Sequence, residues 1–277
     1  MTLADPRPLL AAAKAGGSAV GAFNVILLEH AEAIVAGAEA AGLPVVLQIS
    51  ENTAGFHGSL AGIGAAALAI ADAATVPVVV HLDHAEDEQL VRRAVDLGFP
   101  SVMFDGAALA YQDNLARTAE IVALCHRAGV AVEAELREVG GKDGAHAPGV
   151  RTDPDEAAAF VAATGVDSLA VAVGTSHAMA DRSAVVDLGL VRALSAAVPV
   201  PLVLHGSSGV DDDGLAAAVR AGMTKVNIAT RLNQVMTGVV RQVLAADDRV
   251  TDPRRYLGPA RSAVADEVTL LLRLLHG

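Results

Sequence analysis

Tryptophan is absent, and aromatic residues make up only 3% of the 277 positions. A core without large rings must be filled by many small aliphatic side chains, and the 53% hydrophobic content supplies them chiefly as Ala, Val and Leu. That composition suits repeated helix and strand units better than an aromatic-rich sandwich. The single cysteine, Cys125, has no partner for a disulfide or a thiolate metal site. Within the helical pattern TAEIVALCHRAGV it reads as a packing residue, and the poverty in cysteine fits a cytosol. Clusters of Lys and Arg are missing too, and a formal charge of −12 repels phosphodiester backbones, so nucleic acid is excluded as a partner. Mean hydropathy is +0.45, yet every apolar run is broken by a charge or a glycine before it reaches membrane-spanning length. The first residues, MTLADPRPLLAAAKAGG, place an acid and two prolines where a secretory signal would need basic and apolar regions. A protein without membrane association, located in the cytoplasm, is expected.

What is present is alternation. VGAFNV, PVVLQIS, VPVVVHLD, SVMFDG, VAVEAEL, SLAVAV, PLVLHG and KVNIAT read as eight strands. Between them lie helical patterns such as EHAEAIVAGAEAAG and EDEQLVRRAVDLG, each closed by glycine. Near-continuous apolar strands separated by helices imply a parallel sheet covered on both faces, and eight such units imply closure into a barrel. A doubly wound sheet is the alternative, but the first strand leads into GAFNVILLEH rather than a G-x-G-x-x-G turn. The expected fold class is therefore α/β, a (β/α)8 TIM barrel with an extra C-terminal helix. No linker divides the chain, so residues 1–277 are expected to form a single barrel domain. The longest irregular stretch, Arg137 to Pro154, follows the fifth strand and has the length of a lid.

Polar residues gather at one end of these strands. Asn24, Ser50, Asp83, His84, Asp105, Glu133, Glu135, His205 and Asn227 lie at or near the C-terminal strand ends, and His177 follows the sixth strand. In a parallel barrel those ends form one rim, where the βα loops build active sites. A lone rim histidine is ordinarily a hydrogen-bonded structural residue. Three of the nine histidines here, His84, His177 and His205, share the rim beside Asp83, and three imidazoles with one open coordination position are a catalytic zinc arrangement. His81 shares a strand face with Asp83 and reads equally as support for that site or as a core residue. LHGSSG and KVNIAT follow the seventh and eighth strands as small-residue turns. Gly-Ser turns are common, but at this position in a barrel free N–H groups and a helix amino end converge on phosphate.

With these residues in place, the chain resembles the class II, metal-dependent ketose-bisphosphate aldolases, and it is closer to the shorter tagatose-bisphosphate type. The resemblance runs nearly end to end through GAFNV, HLDH, VEAEL, TGVDSLAVAVGTSH, LVLHGSSG, KVNIAT and DPRRYLGPAR. It implies a zinc-dependent aldehyde-lyase that reversibly cleaves fructose or tagatose 1,6-bisphosphate into dihydroxyacetone phosphate and an aldehyde such as glyceraldehyde 3-phosphate. His84, His177 and His205 then match the Zn²⁺ ligands, with Glu135 able to contact the metal, and Asp83 matches the acid/base at the C4 hydroxyl. Gly206, Ser208, Asn227, Ala229 and Thr230 match positions that hold the phosphate, and Asn24 and Ser50 match rim positions near the substrate. A metal-assisted cleavage needs no Schiff-base lysine, and none of the three lysines suits one: Lys14 lies in a helix, Lys142 in the long loop, and Lys225 at the opening of a strand.

Three residues depart from the family pattern. The loop reads GGKDG, so Asp143 stands nearest to where the family carries a glutamate that handles the carbon-bound proton. Ala178 follows His177 where glycine is usual, and Ser207 replaces the middle glycine of HGGSG, which bears on the phosphate pocket and on a monovalent cation (Na⁺ or K⁺) site. Two alternatives follow: an aldolase for another phosphorylated keto sugar or sugar acid, such as a deoxy-keto-gluconate phosphate, and an inactive barrel that binds sugar phosphate. The resemblance also implies a homodimer or homotetramer, with Arg254, Arg255 and Arg261 as candidates for a second phosphate.

Overall fold

The computed structural model describes residues 2–136, 151–175 and 182–277. Within them eight parallel strands pair in sequence order: β1 (Val20–Asn24), β2 (Val45–Ser50), β3 (Val78–Ala85), β4 (Ser101–Phe104), β5 (Ala131–Glu135), β6 (Ser168–Ala170), β7 (Leu202–Leu204) and β8 (Met223–Ile228). β8 closes on β1, with Ala22 opposite Asn227, so the expected barrel is observed. The helices, in chain order, are α1 (Pro6–Gly16), α2 (Leu28–Ala41), α3 (Glu51–Phe56), α4 (Leu60–Ala73), α5 (Glu88–Leu97), α6 (Tyr111–Arg127), α7 (Pro154–Thr164), α8 (Leu188–Ala197), α9 (Asp212–Ala221), α10 (Thr230–Ala246) and α11 (Arg254–His276).

Local chemistry sets the helix ends. Asp87 caps α5 by accepting from Gln89 N–H, and Asp153 caps α7 by accepting from Asp155 and Glu156 N–H groups. Gly42 and Gly98 end α2 and α5 in the left-handed conformation that the sequence patterns called for.

The outer layer of the core lies between strands and helices and is almost entirely aliphatic. α11 joins this layer by packing along α2 and α10, which accounts for the extra C-terminal helix. Gly37 of α2 permits the approach: a Cβ there would stand 2.6 Å from Ala265 O, and instead Thr269 Oγ1 donates to Gly37 O at 3.1 Å.

Inside the barrel the period of two along each strand sorts side chains into levels. At the N-terminal end Val20, Ala22, Val46 and Val79 pack against Leu10 and Ala13 of α1, which closes the floor. Burying a leucine there stabilises the plug by about 1.5–3 kcal/mol. Lys14 secures α1 by donating to the carbonyls of Val198, Pro199 and Val200. Two residues further along the strands the inward positions turn polar, with Gln48, His81, Ser101, Glu133, Ser168 and Lys225 all buried. Above these lie Asp83, Glu135 and His205, at the rim that the βα loops surround.

Candidate active site

β3 carries the densest polar sequence to the rim. Its pairing with β4 slips between Leu82 and Ala85, and His84 there has φ +48°, the only positive value at a non-glycine residue among the described residues. That left-handed geometry is uncommon for a side chain of this size. It turns His84 toward the barrel axis alongside Asp83 rather than to the opposite face of the strand. The ring is held by Asp105 at the end of β4, whose Oδ2 meets His84 Nδ1 at 2.7 Å.

Asp83 is buried. Its Oδ2 accepts from Asn24 Nδ2 at 3.3 Å and its Oδ1 from Asn227 Nδ2 at 3.4 Å. Asn24 is in turn fixed by Gln48, whose Nε2 donates to Asn24 Oδ1 at 2.6 Å. Burial alone would push the Asp83 carboxyl up, but the neighbouring His84, His205 and Lys225 outweigh it and hold the group below its ordinary value.

His205 is fully buried after β7, and its Nδ1 lies 2.9 Å from His84 Nε2, the rings meeting edge to face with centroids 4.6 Å apart. Its Nε2 faces Glu133 Oε1 at 3.0 Å, and Glu133 Oε2 accepts from Lys225 Nζ at 2.7 Å. Burial pushes Glu133 up, but Lys225 and the His205 hydrogen bond drive it well below the usual carboxylate range. Burial pushes His205 down. For His84 burial is overcome by Asp83, Asp105 and Glu135, which raise it to about 9.

This donor set fits a zinc ion. An acceptor-only carboxylate at the outer nitrogen of each ring requires N–H there, so His84 Nε2 and His205 Nδ1 face one another, bridged by a proton while His84 is charged and lone pair to lone pair once that proton is lost. Only a cation between them, a proton or a metal, relieves that opposition. Ligand atoms of Asp83, His84 and His205 lie within 4.8 Å of one another, as do those of His84, Asp105 and Glu135. Mixed imidazole and carboxylate ligation suits Zn²⁺.

The turn after β7 stands beside the amino end of α10. Gly206 adopts φ +65°, Ala229 N–H donates to Ser208 Oγ at 3.4 Å, and Thr230 opens the helix. Ser207 is buried and its hydroxyl donates to Asn227 O, so the serine that departs from the glycine pattern ties this turn to β8. Ser50 sits at the rim end of β2, where its Oγ accepts from Thr53 N–H at 3.2 Å.

His177 and Asp143 lie outside the described residues. The remaining expected site residues are brought to one end of the barrel. His81 proves to be a core residue: its Nδ1 meets Ser101 Oγ at 2.7 Å, and burial lowers its pKa to about 3. Lys225 requires a correction. It does not open its strand: it is the third residue of β8, and its ammonium reaches the carboxylate that touches His205. Gln48 was not singled out from the sequence, although its inward parity with Ser50 was a readable signal.

Comparison with known proteins agrees with this architecture. The family described as Fructose-bisphosphate aldolase class-II matches residues 4–277. A Fructose-bisphosphate aldolase from Staphylococcus aureus strain Mu50 is 35% identical over 272 residues, 97% of this chain and 95% of that one. A 6-phospho-5-dehydro-2-deoxy-D-gluconate aldolase from Shouchella clausii is 39% identical over 253 residues, 90% of this chain and 86% of that one. Among solved structures, the YdjI aldolase from Escherichia coli K12 superposes with a TM-score of 0.87 at 33% identity, covering 99% of this chain and 97% of that one. No helix among the described residues is long and apolar enough to cross a membrane.

Proposed function

The chain belongs to the class-II fructose-bisphosphate aldolase family, and on that footing we propose that it is a zinc-dependent aldehyde-lyase acting on a ketose 1,6-bisphosphate, either fructose or tagatose. The observation that carries the metal reading is the 2.9 Å approach of His84 Nε2 and His205 Nδ1, each ring anchored from behind by a carboxylate. His84, His205 and His177 would hold the ion, with Glu135 able to join them. When bound, zinc supplies a Lewis acid beside the carbonyl, where cleavage of the neighbouring carbon–carbon bond leaves negative charge.

The chain's own groups do the rest. Asp83 takes the proton of the C4 hydroxyl in cleavage and returns it in condensation, the role of a positioned general acid/base. Asn24 and Asn227 keep both Asp83 oxygens aimed into the barrel mouth. Gly206, Ser208, Ala229 and Thr230 would hold the phosphate of dihydroxyacetone phosphate at the amino end of α10, where helix dipole and N–H groups favour an anion. Asp143 would handle the proton on the product's carbon.

The test is steady-state cleavage of fructose and tagatose 1,6-bisphosphates by purified protein, with chelator and then with zinc restored. Activity that disappears and returns supports the mechanism and ranks the sugars. Absence of cleavage of either, with zinc bound, would favour the second reading that the Shouchella clausii relative brings forward, a phosphorylated deoxy-keto-gluconate as substrate.

A further inference from the structure

Beneath the rim a charged pair crosses the barrel. Lys225 on β8 and Glu133 on β5 belong to strands that are not neighbours in the barrel, yet Lys225 Nζ and Glu133 Oε2 are 2.7 Å apart and both residues are buried. Removing two charges from water is costly, and an apolar pair of the same volume is often at least as stabilising. Such a pair calls for a purpose beyond stability. Its geometry indicates one: Glu133 Oε1, the oxygen turned away from Lys225, meets His205 Nε2 at 3.0 Å.

We propose that Glu133 and Lys225 are a positioning pair for His205, in which Lys225 orients the Glu133 carboxylate and Glu133 fixes the imidazole as the Nε2–H tautomer with Nδ1 aimed at the metal point. This inference rests on the zinc reading given above. The neighbours of the pair are consistent with it. Ser168 Oγ donates to Glu133 Oε2 at 3.5 Å, and His81 Nε2 lies 4.0 Å from that same oxygen, leaving Lys225 as the cation that directs the carboxylate. Asn227 Nδ2 also lies 3.1 Å from His205 Nε2, but an amide nitrogen accepts no hydrogen bond, so of these two neighbours Glu133 is the acceptor for the His205 N–H. The arrangement complements the one at His84, where Asp105 holds Nδ1 and Nε2 points inward. One ring is thus fixed by its δ nitrogen and the other by its ε nitrogen. That opposition lets two strands on different sides of the barrel aim at one point.

The experiment compares the parent with Glu133→Gln and with the double variant Glu133→Leu/Lys225→Met, which removes the acceptor without leaving a buried charge unpaired. Two properties are read on full-length folded protein: zinc affinity by chelator competition, and the His205 tautomer by long-range ¹H–¹⁵N correlation in the metal-free state. Expected are a single Nε2–H tautomer in the parent, mixed tautomers in the double variant, and zinc binding weakened about 10–100-fold, the range seen when a partner of a metal-bound histidine is lost. If Glu133→Gln does not fold, the double variant carries the test. A folded double variant with parental zinc affinity and an unchanged tautomer overturns the proposal, even if its melting temperature falls. A parent that binds no zinc would instead overturn the metal reading itself, while the tautomer comparison would still decide the role of Glu133.

Discussion

His84 and His205 face one another across the barrel mouth, Nε2 to Nδ1 at 2.9 Å, although 121 residues separate them in the chain. Neither ring is placed by its strand alone. His84 reaches this position through a left-handed backbone and a hydrogen bond to Asp105, His205 through burial against Glu133. The convergence is therefore a property of the closed barrel, and under the proposed function it would separate a metal-holding role for the two rings from a proton-carrying role for the adjacent Asp83.

That separation is measurable. His84→Ala should lose both bound zinc and cleavage activity, because it removes one of the two facing nitrogens. Asp83→Ala should retain zinc, as read by metal analysis after dialysis, while kcat falls about 10²–10⁴-fold, the usual worth of a positioned general acid/base. Full activity in a metal-free His84→Ala protein would refute the assignment of both residues.

Asp105 supplies a graded version of the same test. Asp105→Ala leaves both ring nitrogens of His84 in place but removes the group that orients the ring. Zinc affinity should drop about 10–100-fold, and saturating zinc should restore most of the turnover. Unchanged affinity in chelator competition would show that the backbone at His84 suffices to aim the ring.

Much of the fold was legible because its signals are local. Apolar runs ended by polar residues located all eight strands, and glycine closures located the ends of α2 and α5. Asp83, His84, His205 and Asn227 were readable for the same reason, since the C-terminal end of a barrel strand has a known destination. Three features were not readable. The left-handed turn at His84 coincides with the slip of β3 against β4, a pairing between strands that residue type does not report. The inward parity of Gln48 was legible, but its hold on Asp83 was not, because it runs only through Asn24, one strand away. Lys225 looked misplaced because it lies early in its strand, and its value depends on Glu133 from the far side of the barrel. Local pattern cannot report a pairing made across a closed interior.

The junction of α2 and α11 offers a test of packing independent of chemistry. Gly37→Ala would place a Cβ 2.6 Å from Ala265 O and 2.8 Å from Val268 Cβ, a backbone oxygen and a stiff side chain that cannot swing aside. The helices must separate, at a cost of about 1–3 kcal/mol. Thermal unfolding should therefore begin at lower temperature, while kcat and KM of the folded protein stay at parental values because the contact is remote from the barrel mouth. A melting temperature equal to that of the parent would mean that α11 shifts freely on α2.

Cys125 provides the clearest dependence on pH. The thiol is fully buried on α6, and burial pushes it up to about 11 from an ordinary value near 9. Because the folded state holds this proton more tightly than the unfolded state, the associated stability is fully present below pH 9 and is lost as pH rises through 11. The native protein should therefore resist aromatic disulfide reagents at pH 8 and react with one equivalent once unfolded. Cys125→Ala would trade this alkaline sensitivity for a small cavity, so its stability should fall less between pH 9 and 11 than that of the parent, as followed by denaturant titration at each pH. Rapid labelling of the native parent at pH 8 would show instead that α6 opens readily from the barrel.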